Sequence, residues 1–153
     1  MNIKTATLSG VATIEMARPQ KKNALTAEMY AEMAAALKAA DADAAVRAVL
    51  IVGQPGVFTS GNDIDDFMNR PPATIDAPVF DFMRALVACS KPVVAAVTGA
   101  AIGIGTTMLL HCDLVYVSDE ARLAMPFASL GLVPEFASSL MVPGLIGHAQ
   151  AAE

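Results

Sequence analysis

Three short segments carry residue types able to act on a carbonyl compound. Phe58-Thr59-Ser60-Gly61-Asn62-Asp63-Ile64 and Gly99-Ala100-Ala101-Ile102-Gly103-Ile104-Gly105 each follow an apolar β-like run and place glycine where a strand gives way to a helix. Turns of this kind leave backbone N–H groups pointing outward without partners, the raw material of an anion or oxyanion site. Two such turns in one small domain are able to converge on a single oxygen. The third segment, Gly131-Leu132-Val133-Pro134-Glu135-Phe136, sets one carboxylate among apolar neighbours. Together they suit enolate chemistry on an activated carbonyl, with the donors holding the oxygen and Glu135 moving a proton. Taken singly, each part has a plainer reading. The glycines also suit tight turns with no ligand, and Glu135 by spacing alone reads equally well as an ordinary exposed acid.

The elements that must position these residues alternate between strand and helix. Thr5–Leu8, the turn Ser9-Gly10 and Val11–Met16 form a hairpin pattern, followed by a polar loop over Arg18–Asn23. Thr26 is an N-cap for a helix to Ala40, whose apolar face is Met29, Met33, Ala36, Leu37 and Ala40. Val46–Val52 reads as a buried strand and Gly53–Thr59 as a loop into the first turn. The Pro-rich stretch Asn69–Pro78 reads as a rim or lid, Ala77–Ser90 as a helix, and Pro92–Val97 as a strand. Ile104–His111 is expected as a buried helix, Leu114–Val117 as a strand, and Ser138–Ile146 as a helix broken near Pro143-Gly144. This alternation indicates one α/β domain spanning 1–153 with a layered sheet.

Composition excludes several classes. At 153 residues, 55% hydrophobic and 16% charged, the chain is able to bury a core and is not disordered. A net charge of −5, with Lys21-Lys22 as the largest basic cluster, argues against a nucleic-acid surface. Cys89 and Cys112 have no metal or redox spacing, and no secretory h-region opens the chain, so it reads as cytoplasmic. Asp63, Asp65 and Asp66 suit the start of a helix better than a metal site. Pro92–Cys112 lacks Asp, Glu, Lys and Arg, as a membrane span would. Its β-branched residues and glycines fit a strand–turn–helix unit buried on both faces instead. Thr98–Gly105 mimics the dinucleotide turn of short-chain dehydrogenases. It lies too late in the chain, and neither Tyr30 nor Tyr116 has a lysine four residues on.

Beyond these local readings, the chain resembles the enoyl-CoA hydratase/isomerase (crotonase) superfamily. The resemblance rests on Ala17-Arg18-Pro19, Asn23-Ala24-Leu25, Ser60-Gly61-Asn62-Asp63-Ile64, Lys91-Pro92-Val93-Val94-Ala95-Ala96-Val97-Thr98-Gly99, Cys112-Asp113 and Leu130-Gly131-Leu132. It implies a crotonase-like layered β-sheet with surrounding helices in spiral ββα units, the family's C-terminal helical part lying beyond the matched region. It also implies an acyl-CoA thioester substrate and no separate cofactor or metal. The two oxyanion donors would be the N–H groups of Asn62 and of Ile104, which follows Gly103. Ser60, Gly61, Asn62, Asp63 and Ile64 would run along the CoA moiety, and Lys22, with Lys21 as second choice, would reach its phosphates. The two glutamates of the family's hydratases fall on Thr107 and Phe127, neither of which is a base. Glu135 falls where peroxisomal-type 3,2-enoyl-CoA isomerases carry a single catalytic glutamate. The resemblance therefore implies an isomerase, with a hydratase or a non-catalytic acyl-CoA-binding subunit as alternatives. It further implies a homo-oligomer, a trimer or a dimer of trimers.

Overall fold

The computed structural model describes residues 2–152. Its chain opens with an antiparallel hairpin, β1 (Ile3–Leu8) and β2 (Val11–Met16), joined where Ser9 and Gly10 both take positive φ, 52° and 81°. That backbone twist matches the twist of the flanking strands. Thr26 caps α1 (Ala27–Ala42) by accepting the Met29 N–H, as its hydroxyl and position predict. Met29, Tyr30, Met33, Ala34, Leu37 and Ala40 face the core at helical spacing, whereas Ala36 is only half-buried.

β3 (Ala48–Val52), β5 (Val93–Val97) and β7 (Leu114–Val117) complete a five-stranded sheet in the order β1-β2-β3-β5-β7. All its pairings after the hairpin are parallel, with Val49 opposite Val93 and Val94 opposite Leu114. A second, all-parallel sheet holds three strands of three residues each: β4 (Val57–Thr59), β6 (Ala100–Ile102) and β8 (Arg122–Ala124), in the order β4-β6-β8. The sequence pattern places β4 in the loop Gly53–Thr59 and runs β5 directly into the second turn, so the short strands are a departure from it. Three residues are too few to show an alternating pattern, and Gly53, Gly56 and Gly99 around them read as turn.

The helices after β4 are α2 (Ile64–Asn69), α3 (Pro78–Ala88), α4 (Ile104–Thr107), α5 (Ser138–Ile146) and α6 (His148–Ala152). The helix expected over Ile104–His111 is α4 followed by a tighter 3₁₀ turn, Met108–His111. The break expected near Pro143 is absent: α5 continues past it to Ile146, forgoing only the bond that Pro143 cannot donate to Ser139. No helix among the described residues is long and apolar enough to cross a membrane.

This architecture settles where the two glycine turns lie. β4 and β6 are neighbours in a parallel pair, Thr59 opposite Ala101, so both turns leave the same end of adjacent strands.

Candidate active site

Polar side chains buried beneath the first turn hold it in place. Asn23 is fully buried at φ 54°. Its side-chain oxygen accepts from Arg18 N at 2.7 Å, and its amide donates to Phe58 O at 3.0 Å. The Thr59 hydroxyl, also fully buried, donates to Asn23 O at 2.6 Å and accepts from Gly61 N at 3.1 Å. Leu25 brackets the turn on the other side: its N–H donates to Gly61 O and its carbonyl accepts from Asp63 N, both at 2.8 Å. Gly61 sits at φ 91°, where a Cβ would lie 2.8 Å from Ile102 O, so only glycine lets this turn approach β6.

Asp63 closes the turn. Its carboxylate meets Arg18 at 2.6 Å and caps α2 by accepting Asp66 N at 3.1 Å. The Arg18 guanidinium holds the Asp63 carboxyl below the usual aspartate range, with the α2 cap acting in the same direction. Asp66 accepts from Ala27 N at 2.7 Å and pairs with Arg70. Asp63 and Asp66 are thus occupied within the protein, in line with a helix-capping role, while Asp65 is exposed.

Between these bonds, the Asn62 N–H has no hydrogen-bond partner among the described residues. The Ile104 N–H is also without one: Gly103, at φ 57°, donates to Ala124 O and accepts from the amides of Thr106 and Thr107, while Ile104 begins α4. Two unpaired backbone donors therefore follow the two glycines at the same end of adjacent strands of the small sheet.

Glu135 lies on the segment between the 3₁₀ turn Ala128–Leu130 and α5. Phe136 and Ala137, immediately after it, both take left-handed backbone, φ 53° and 55°, a conformation that persists in bulky residues only when the surroundings enforce it. Phe136 is stacked on His111 with ring centroids 3.9 Å apart and packs edge-on against Phe82, while Phe136 O lies 2.8 Å from His111 Nε2. Ser138 adds two bonds to the Glu135 carbonyl, from its N–H at 3.0 Å and its hydroxyl at 2.7 Å. The carboxylate is half-buried; Oε1 accepts from the Thr107 hydroxyl at 2.6 Å, while Oε2 is buried without a partner. Burial pushes the Glu135 carboxyl above the ordinary glutamate value, opposed by the Thr107 bond.

A cavity of about 610 Å³ opens in front of Glu135. Phe67, Pro71, Pro72, Phe80, Met83 and Leu132 give it a mostly apolar wall, and the Pro-rich stretch read as a rim does line it. Tyr30 donates its hydroxyl to the Asn62 side chain, and burial raises this phenol well above its usual value, followed by the nearby Glu135 charge.

Of the residues singled out from sequence, Asn62, Asp63 and Glu135 line the cavity together. Gly61 and Ile104 are buried and Gly103 is half-buried, and none of the three lines the cavity. Ser60 bonds through its N–H to Lys22 O at 3.0 Å, while Lys22 and Ile64 are exposed and do not line the cavity. Sequence reasoning missed Tyr30 and His111 as site neighbours, and it placed Thr107 only at the position of a hydratase glutamate, without its bond to Glu135. The signal for Thr107 was that match and its place one turn after Ile104; Tyr30, next to Met29, lies on the buried face of α1.

Comparison with known proteins identifies the family to which the chain belongs. A family model described as enoyl-CoA hydratase/isomerase matches residues 6–153. Enoyl-CoA delta isomerase 2 of Homo sapiens is 39% identical over 151 residues, covering 94% of this chain and 38% of that protein. Enoyl-CoA hydratase ACTT3 of Alternaria alternata is 35% identical over 145 residues, 93% of this chain and 49% of that protein. Pseudomonas aeruginosa OdaA superposes with a TM-score of 0.97 at 57% identity, covering 99% of this chain and 62% of that structure. An enoyl-CoA hydratase/isomerase from Pseudoalteromonas atlantica T6c superposes at 0.94 with 44% identity, covering 99% of this chain and 60% of that structure. The chain thus spans less than half the length of these curated relatives and about 60% of these solved structures. It belongs to the enoyl-CoA hydratase/isomerase family.

Proposed function

We propose that this chain carries an acyl-CoA isomerase site that shifts a 3-enoyl-CoA double bond to the 2-position through a dienolate. The carrying observation is the unpartnered, buried Oε2 of Glu135 at the wall of an apolar cavity. In this reading Oε2 takes a proton from C2 and returns it to C4, while the Asn62 and Ile104 N–H groups hold the thioester oxygen as it gains charge. A single base suffices. The other cavity acids are engaged elsewhere, Asp63 with Arg18 and Asp66 with Ala27 N and Arg70. Thr107 and Phe127 stand where the resemblance places the hydratases' glutamates, which favours isomerisation over hydration. Hydratases among the relatives keep hydration as the second reading, and tight acyl-CoA binding without turnover would mark a binding subunit.

The turn Ser60–Ile64 follows the CoA moiety in this reading, and Lys22 reaches its phosphates. Support for Lys22 comes from the Ser60 N–H bond to its carbonyl, which sets the chain's basic pair beside the turn. A homo-oligomer, a trimer or hexamer, is supported by exposed apolar side chains that include Leu114, Tyr116, Val133 and Leu140. The test compares trans-3-hexenoyl-CoA and trans-2-hexenoyl-CoA as substrates. Formation of the conjugated thioester from the first, outpacing water addition to the second, is expected; the reverse order overturns the isomerase reading.

A further inference from the structure

The two oxygens of Glu135 stand in different surroundings. The Thr107 hydroxyl is fully buried on α4, and its one proton lies on Oε1 at 2.6 Å, leaving Oε2 without a partner. No backbone acceptor competes for that proton: the carbonyl of Gly103, one turn back, already accepts from the amides of Thr106 and Thr107. The Glu135 backbone is held independently by the two Ser138 bonds and by Phe136 against His111 and Phe82. With the backbone held, the Thr107 bond to Oε1 restrains rotation of the carboxylate about its terminal torsion. Thr107 also starts from the same short helix as the Ile104 N–H, so one element fixes both the donor and the carboxylate.

We propose that Thr107 is a positioning residue that assigns the two carboxylate oxygens separate roles, Oε1 anchored and Oε2 alone exchanging protons with substrate. The inference rests on the isomerase reading of Glu135. In the step it serves, the C2–H bond breaks, its electron pair enters the dienolate and the proton passes to Oε2. The Oε2–H bond then breaks and the same proton forms the C4–H bond. With one oxygen carrying the proton, transfer stays within the cavity. With Oε1 released, either oxygen takes it, and the carboxylate turns between the two arrangements. The other titratable group facing the carboxylate is Tyr30 on α1, whose phenol burial keeps neutral; Asp63 and Asp66 on the α2 side are tied to Arg18 and Arg70. His111 bonds to Phe136 O rather than to the carboxylate.

The experiment uses the full chain and its Thr107→Val and Thr107→Ser variants, with two readouts. First, infrared difference titration follows the Glu135 carboxyl band, assigned by its loss in Glu135→Gln. Thr107→Val is expected to titrate at higher pH than the parent chain and Thr107→Ser to match the parent, because the bond stabilises the ionised form. Second, 2-deuterated trans-3-hexenoyl-CoA reports how much deuterium arrives at C4. Thr107→Val is expected to lose label to solvent and to lower kcat on the order of tenfold, with KM unchanged and both restored in Thr107→Ser. Equal titrations, equal label retention, or a serine variant that behaves like valine overturns the assignment. Full turnover in Glu135→Gln would remove the isomerase reading itself, while the infrared arm still decides the Thr107 contact.

Discussion

Replacing Gly61 with alanine should damage the site and the fold together, and the structure gives the size of each effect. An added Cβ lies 2.8 Å from Ile102 O, closer than real Cβ contacts, at a φ of 91° that disfavours any side chain. The left-handed backbone costs about 1–2 kcal/mol for alanine. Relief of the clash must shift Gly61 away from β6, against its bonds to Leu25 N and Thr59 Oγ1. A total of about 2–3 kcal/mol follows from strain plus one weakened bond, a fall in Tm on the order of 5–10 °C for a chain of this size. The shift carries the Asn62 N–H with it, so turnover of 3-hexenoyl-CoA should drop about a hundredfold, the usual cost of one oxyanion donor. Gly56→Ala is the control. Gly56 also sits at positive φ, 81°, but a Cβ there meets nothing within 4 Å. It should cost about 1 kcal/mol and leave kcat intact. Thermal scans and steady-state kinetics on both variants decide the matter; Gly61→Ala that melts and turns over like Gly56→Ala would refute the reasoning.

Arg18→Met should destabilise the chain by about 3 kcal/mol in denaturant unfolding, since it strands the largely buried Asp63 carboxylate without its partner. Glu135→Gln should be more stable than the parent at neutral pH. The folded carboxyl titrates above the ordinary value of 4.5, so stability present below pH 4.5 is lost as pH rises through the raised value. The variant's advantage should therefore open across that window and level off above it, whereas a constant difference from pH 4 to 8 would contradict the burial argument. Lys22→Glu should raise KM for acyl-CoA at low salt and lose that effect as ionic strength rises; an unchanged KM removes the proposed phosphate contact.

How much the sequence disclosed depended on the length of the pattern. α1 shows four turns of apolar spacing and a threonine cap, and it lies where those signals place it. Leu114–Val117 was legible as a strand, but all four of its residues are exposed, because burial depends on what packs against β7 rather than on its apolar run. β4, β6 and β8 left no periodicity in three residues each, so the parallel pair that aligns the two turns was invisible. Glu135 is singled out by its motif and its apolar neighbours, and it lines the cavity. Its anchoring was not legible, because Thr107, His111 and Phe82 come from distant elements, and the left-handed pair Phe136-Ala137 contains no glycine to announce it. Asn23 had the opposite fate: noted as part of a motif, it is the buried amide on which the first turn rests.

The central claim is that Glu135 is the base of an isomerase, and turnover in Glu135→Gln tests it most directly. The glutamine keeps the size of the side chain and an oxygen for the Thr107 hydroxyl, so the cavity should persist while the proton acceptor is lost. Conversion of trans-3-hexenoyl-CoA to its conjugated isomer, followed by the absorbance of the 2-enoyl thioester, should fall at least about a hundredfold, with acyl-CoA binding retained. Unchanged turnover in Glu135→Gln would contradict the account.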